Sequence, residues 1–147
     1  MNVIVIAGLP GSGKTHLRTS DPALKDLPYL DMDELRQQAV RDCDPNSSSY
    51  WIWRQSMLDL LDTIDTLNDQ DVEQLVVEGV FAPGSKSFLQ LLDKCRQLGI
   101  ELDVRRTDTA PDVCAMNIIK DYWRDNNEDR WMGRMDILIK VVRGKGD

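Results

Sequence analysis

No apolar run in the 147 residues approaches the roughly 18 that a membrane-crossing helix needs. The first apolar run, Val3 to Ala7, is too short for the core of a secretory signal and leads straight into glycines. Cysteine is scarce. Cys43, Cys95 and Cys114 are an odd count without CxxC spacing, which argues for free thiols in a reducing cytoplasm rather than a disulfide framework. Histidine occurs once, as His16, so histidine chemistry has little to draw on. There is no repeat, no low-complexity tract and no long linker, and the length suits one domain over residues 1–147. Positive charge is also short. The net charge is −7, with the acidic excess in the first 103 residues and the last third near neutral. An acidic chain lacks the phosphate-neutralising surface of a non-specific nucleic-acid binder, so any such substrate must sit in a local basic groove.

What is present alternates. Asn2 to Ala7 is a β-branched apolar run and predicts a buried strand. Leu27 to Leu30 predicts a short second strand, Gln74 to Val77 a third that ends at Glu78-Gly79, and Ile100 to Arg106 a fourth. Between them fall helical patterns at Asp33 to Cys43, Tyr50 to Leu67 and Ser85 to Leu98, the last closed by Gly99. Pro111 to Trp123 predicts a further helix with proline in its first turn. Asp136 to Val142 is ambiguous, and its β-branched content leans it toward a fifth strand. The expectation is an α/β fold with a parallel sheet of four to five strands covered on both faces.

Gly8-Leu9-Pro10-Gly11-Ser12-Gly13-Lys14-Thr15 matches G-x-x-x-x-G-K-[ST] in full, after a strand and before a helix. Glycines let the backbone turn its N–H groups inward around phosphate oxygens, and the helix N-terminus adds partial positive charge. Gly8, Gly11, Ser12, Gly13, Lys14 and Thr15 are therefore the nucleotide-binding candidates. Lys14 reaches the β- and γ-phosphates and the Thr15 hydroxyl ligates Mg²⁺ in such loops. The cofactors implied are ATP, with GTP open, and Mg²⁺. This is the signature of the P-loop NTPase fold. His16, just beyond the loop, reads as a helix-surface residue.

Asp31-Met32-Asp33-Glu34-Leu35-Arg36, at the end of the second strand, resembles the polynucleotide-kinase-like group of P-loop kinases. The resemblance implies Asp33 as the base that takes the acceptor hydroxyl's proton and Arg36 as the clamp on the acceptor's phosphate. A plain helix start, with Asp31 or Asp33 as cap and Arg36 solvated, is the competing reading. Val77 to Ala82 resembles the third strand of the same kinases. Glu78 then stands where a Walker B acid ligates Mg²⁺ through water or contacts Arg36 or substrate. Ala110 to Cys114 is similar to the segment that starts the helix leading to the lid in that group. The group's two arginines on that helix are Asn117 and Asp121 here. Lys120, Arg124, Arg130 and Arg134 are the substitutes within a lid region of approximately 117–134. Tyr50, Trp51, Trp53 and Arg54 cluster at the start of the long helix. A base could stack there, with Arg54 on the substrate, although aromatics at helical spacing are more often core.

Three functions remain open. The first is an alcohol-group kinase acting on nucleic acid or a nucleotide. Small stand-alone members of the group include phage DNA-modification enzymes that phosphorylate 5-hydroxymethyluracil, which makes such DNA one acceptor to consider. The second is a small-molecule kinase or phosphotransferase of the same fold. The third is a non-catalytic nucleotide-binding module. No membrane partner is expected, and the oligomeric state is not readable.

Overall fold

In the computed structural model, residues 1–144 are described. Four parallel strands form one sheet in the order β2-β3-β1-β4. β1 (Asn2–Ala7) lies centrally between β3 (Gln74–Gly79) and β4 (Glu101–Arg106), and β2 (Tyr29–Asp31) adds to the outer side of β3. Strand period two decides the core. Val3, Val5 and Ala7 face one layer with Leu75 and Val77, against Met57, Leu60 and Ile64 of α3 (Ser49–Asp69) and Leu91 and Cys95 of α4 (Lys86–Gln97). Ile4, Ile6 and Val76 face the other layer, against Leu24 with Leu17 of α1 (Lys14–Ser20). A central parallel strand buried on both sides must be apolar throughout, which is why NVIVIA is so legible.

α2 (Met32–Asp42) follows β2 without a gap. Asp31 caps it by accepting from the Asp33 amide at 2.9 Å. α4 stops at Gly99, whose φ of 66° is the left-handed conformation that ends helices.

The expected fifth strand does not form. Asp136 to Val142 is the second half of α6 (Glu128–Val142), a helix capped by Asn127, which accepts from the Arg130 amide at 3.1 Å. Trp131, Met135 and Leu138 recur at helical spacing and pack on Cys114 and Ile118 of α5 (Pro111–Asp125). Asp136 falls in the middle of that stripe, so the segment from Asp136 to Val142 carries only its β-branched end. α5 and α6 form a helical hairpin that breaks at Asn126, where φ is 52°. Among the described residues no helix is long and apolar enough to cross a membrane.

Candidate functional site

The loop from Gly8 to Gly13 leaves the carboxyl end of β1 and feeds α1, where open parallel sheets bind ligands. It is braced from the β4 to α5 side. Ser12 Oγ lies 2.6 Å from Thr107 Oγ1, Thr109 donates to the Ser12 carbonyl at 2.8 Å, and Asn117 Nδ2 donates to the Gly11 carbonyl at 2.9 Å. Gly11 has φ +80° and sits so close to the Cys114 carbonyl that a Cβ would collide with it. Only glycine satisfies both demands. Asn117, which occupies an expected lid-arginine position, therefore fastens the loop instead.

Lys14 curls back over this loop and donates to the Gly8 and Leu9 carbonyls at 2.6 and 3.0 Å. Burial pushes its ammonium down to about 8, aided by Arg134 and opposed by the carboxylates of Asp31, Glu78 and Asp33. A desolvated ammonium held by two backbone carbonyls can exchange them for the stronger acceptor oxygens of an anion.

Thr15 and Glu78 lie together. The Thr15 hydroxyl donates to Glu78 Oε1 at 2.9 Å. Arg18 was not anticipated. Its Nε donates to Glu78 Oε2, both side chains are buried, and its guanidinium lies 3.5 Å from the Tyr29 ring centroid. Thr15 and Arg18 are one helical turn apart on α1, so the i,i+3 spacing held the signal. Glu78 does not contact Arg36. Its carboxylate, 1% exposed, is held by Thr15 and Arg18. Breaking this buried pair leaves an uncompensated charge. Glu78→Gln is expected to cost about 3–5 kcal/mol of folding stability, read as a drop in denaturation midpoint. A midpoint shift of only tenths of a kcal/mol would show that the pair is solvated.

Asp31 and Glu78 are register partners at the ends of β2 and β3. Burial first, and then the Glu78 carboxylate, raise the Asp31 carboxyl to about 6. A folded value above the unfolded one means that ionised Asp31 opposes folding. The penalty is absent below the unfolded value near 3.8, grows toward 6 and is full above it. Asp31→Asn, which keeps a good cap, is therefore expected to stabilise the protein by about 1–3 kcal/mol above pH 6. That gain should vanish near pH 4 in melts run across the range. A gain independent of pH would remove the burial argument.

Asp33 and Arg36 do share one side of α2. Arg36 Nη2 donates to Asp33 Oδ1 at 3.1 Å. Arg130 of α6 donates to Asp33 Oδ2 at 3.1 Å, and Gln37 donates to the same oxygen at 3.3 Å. The Arg36 guanidinium lies flat on Gly133 of α6, where any Cβ would strike it. Its Nε is buried and has no hydrogen-bond partner among the described residues.

The four lid candidates separate. Arg134 is anchored to Asp121 at 2.9 Å, lines the cleft and acts on Lys14 through its field. Arg130 lies between Asp33 and Asp125. Arg124 also pairs with Asp121 but is 74% exposed at the rim. Lys120 is exposed and does not line the cleft. Arg54 is likewise displaced: it lies over the Trp51 ring at 5.4 Å, outside the cleft lining. Trp53 packs with the core, and its indole N–H donates to Ser87 Oγ at 2.8 Å. Trp123 is exposed, and Trp131 packs on Tyr122 at 5.3 Å.

One cleft of about 830 Å³ joins these parts. Its near arm is lined by the loop, Lys14, Thr15, Asn117 and Asp121. Asp31, Asp33, Glu78 and Arg134 line its waist. Its far arm runs between α2, α3, α6 and the segment after β3. Among the described residues no cluster of three or more His, Cys, Asp or Glu side chains could hold a metal by itself. That is compatible with Mg²⁺, which keeps waters and phosphate oxygens and takes one or two protein ligands.

No protein-family model and no curated protein matches the chain in sequence. Solved structures do match in fold. A candidate kinase from Chloroflexus aurantiacus superimposes with a TM-score of 0.70 at 17% identity, covering 93% of this chain and 77% of that one. The Mycobacterium tuberculosis APS kinase CysC, in complex with AMPPNP and APS, gives 0.60 at 21% identity, covering 84% and 71%. A chain of the Pnkp1/Rnl/Hen1 RNA repair complex gives 0.59 at 13% identity, covering 99% of this chain but 46% of that one. The chain thus has the fold of P-loop kinases.

Proposed function

We propose that the protein is an ATP-dependent kinase that moves the γ-phosphoryl group to a hydroxyl on a nucleotide or nucleic-acid acceptor. The observation that carries this reading is the single cleft. It gathers the lysine of a phosphate loop, a Thr15–Glu78 pair, a carboxylate flanked by arginine and a lid arginine along one cavity. A pure nucleotide binder has no use for the acceptor-side half.

Lys14 and the loop amides hold the β- and γ-phosphates, and α1 points its N-terminus at them. Thr15 would hold Mg²⁺, with Asp31 and Glu78 behind it as water-mediated partners. The ion supplies neutralisation of charge that gathers between the phosphates. Asp33 orients the acceptor hydroxyl and takes its proton late in transfer. Arg36 faces the acceptor, and Arg134 places fixed positive charge over the transferring group. Arg130, now bonded to Asp33, must yield that carboxylate to the acceptor.

The fold neighbours support the reading, since the APS kinase structure is a complex with AMPPNP and APS and another neighbour belongs to an RNA repair complex. Phage DNA bearing 5-hydroxymethyluracil stays on the acceptor panel on the strength of the sequence resemblance. The test is incubation with γ-labelled ATP and 5′-hydroxyl oligonucleotides, hydroxymethylpyrimidine DNA, nucleosides and nucleotides. Label on any acceptor upholds the kinase. Label on none, despite tight ATP binding, overturns it in favour of a binding module.

A further inference from the structure

The far arm of the cleft has a chemistry of its own. Its walls are Met32, Val40, Tyr50, Trp53, Phe81 and Ile137, an apolar and aromatic lining. Phe81 is buried and holds a φ of 38°, a strained value for a residue with a side chain. Arg106 fixes it by donating to its carbonyl at 2.9 Å. Strain maintained by a dedicated contact marks a wall that has to stand where it does.

The cations that α2, α4 and α6 bring to the cleft differ in their partners: Arg130 is held by Asp33 and Asp125, and Arg134 by Asp121. Arg36 is paired with Asp33, and Lys140 with Asp136 at 2.9 Å. Lys86 makes no ion pair among the described residues. It is the first residue of α4, a 12-residue helix with no acidic side chain in its first turn. The helix N-terminus and a free ammonium therefore lie together on the cleft. A polynucleotide track needs a row of uncommitted cations, whereas here Lys86 is uncommitted and the cations of α2 and α6 are already neutralised.

The geometry points to a small acceptor with a flat apolar body and one anionic group, of the nucleoside monophosphate class, its ring between Trp53 and Phe81 and its anion at Lys86. This rests on the kinase reading of the same cleft and narrows its acceptor. The ring fills the aromatic walls, and the anion meets Lys86 and the amino end of α4.

The experiment is calorimetric titration with AMP, GMP, CMP and UMP, with their nucleosides, and with a single-stranded oligonucleotide. A non-hydrolysable ATP analogue with magnesium is held in saturating excess, so that the phosphate loop is occupied. At least one monophosphate is expected to bind on the order of tenfold more tightly than its nucleoside, and Lys86→Ala should erase that margin. ATP-analogue affinity should stay the same in Lys86→Ala, whose side chain is exposed. Three results would overturn the inference: no monophosphate exceeding its nucleoside, an unchanged margin in Lys86→Ala, or an oligonucleotide that binds more tightly with a steep salt dependence. Phosphoryl transfer to another acceptor class alongside any of these would leave the kinase reading standing. A Lys86-dependent monophosphate site without transfer would sink the kinase reading alone.

Discussion

Lys14→Ala is expected to lower phosphoryl transfer by about 10²–10³-fold and to weaken ATP binding together with it. Both losses have one origin. The ammonium is held by the Gly8 and Leu9 carbonyls in the partly desolvated floor of the loop, where a charge acts on phosphate with little screening. Single-turnover transfer and calorimetry on the same preparations would read the two effects separately. Retained ATP affinity with normal transfer would mean that the loop amides suffice. The pH dependence gives a second, independent reading. Burial has lowered the Lys14 ammonium to about 8 in the free protein. Only the protonated form attracts phosphate, and bound phosphate raises the value again. ATP affinity should therefore be flat below pH 8 and fall above it, by at most about tenfold per pH unit. The alanine variant should show no such fall. A wild-type affinity that stays level to pH 10 would contradict the burial of this lysine.

The parts of the fold legible in the sequence are those whose physics is local. β1 is apolar on both faces because it is central, so its limits, Asn2–Ala7, read directly. The phosphate loop carries its geometry in its glycines. β2 was placed early, at Leu27 to Leu30, because a three-residue edge strand has little pattern of its own. α6 was lost because its apolar stripe faces α5 rather than the sheet, and its last turn is β-branched. The site divides in the same way. Thr15 and Glu78 meet because the loop after β1 starts α1 at the same sheet edge where the neighbouring parallel strand β3 ends, a consequence of parallel order. Arg18 was legible only through its spacing from Thr15. The roles of Asn117 and Asp121 depend on how α5 lies over the loop and against α6, and no sequence window contains that. Arg54 is a candidate for its place in the aromatic cluster and Lys120 for its charge. They turned out to lie off the cleft, because helical phase decides what a side chain reaches.

Asp33→Asn is expected to lower transfer by on the order of 10²-fold or more while leaving ATP affinity nearly unchanged. The substitution keeps the shape and removes the ability to accept a proton. The Asp33 carboxylate bonds to Arg36, Gln37 and Arg130 and to no residue of the phosphate loop, so its replacement removes no bond that holds the loop. The carboxylate also holds Arg36 and Arg130, whose side chains are 17% and 27% exposed. Its loss sets two guanidiniums against each other, so a modest destabilisation should accompany the variant, and a melt must confirm folding at the assay temperature. Asp31→Asn is the decisive companion. Asp31 also lines the cleft, and at pH above 6 it too is an ionised carboxylate there. If Asp33→Asn retains full turnover while Asp31→Asn abolishes it, the proton acceptor is Asp31 and Asp33 is only the anchor of α6. If Asp33→Asn alone loses transfer, the resemblance has placed the base correctly. Arg130 then has a second meaning. Its bond to Asp33 at 3.1 Å occupies the oxygen that the acceptor hydroxyl must reach, so acceptor binding and release of Arg130 are the same event. Arg130→Met, combined with Asp33 intact, should then lower the acceptor KM and reduce kcat, because the arginine competes for the base before transfer and supplies charge during it.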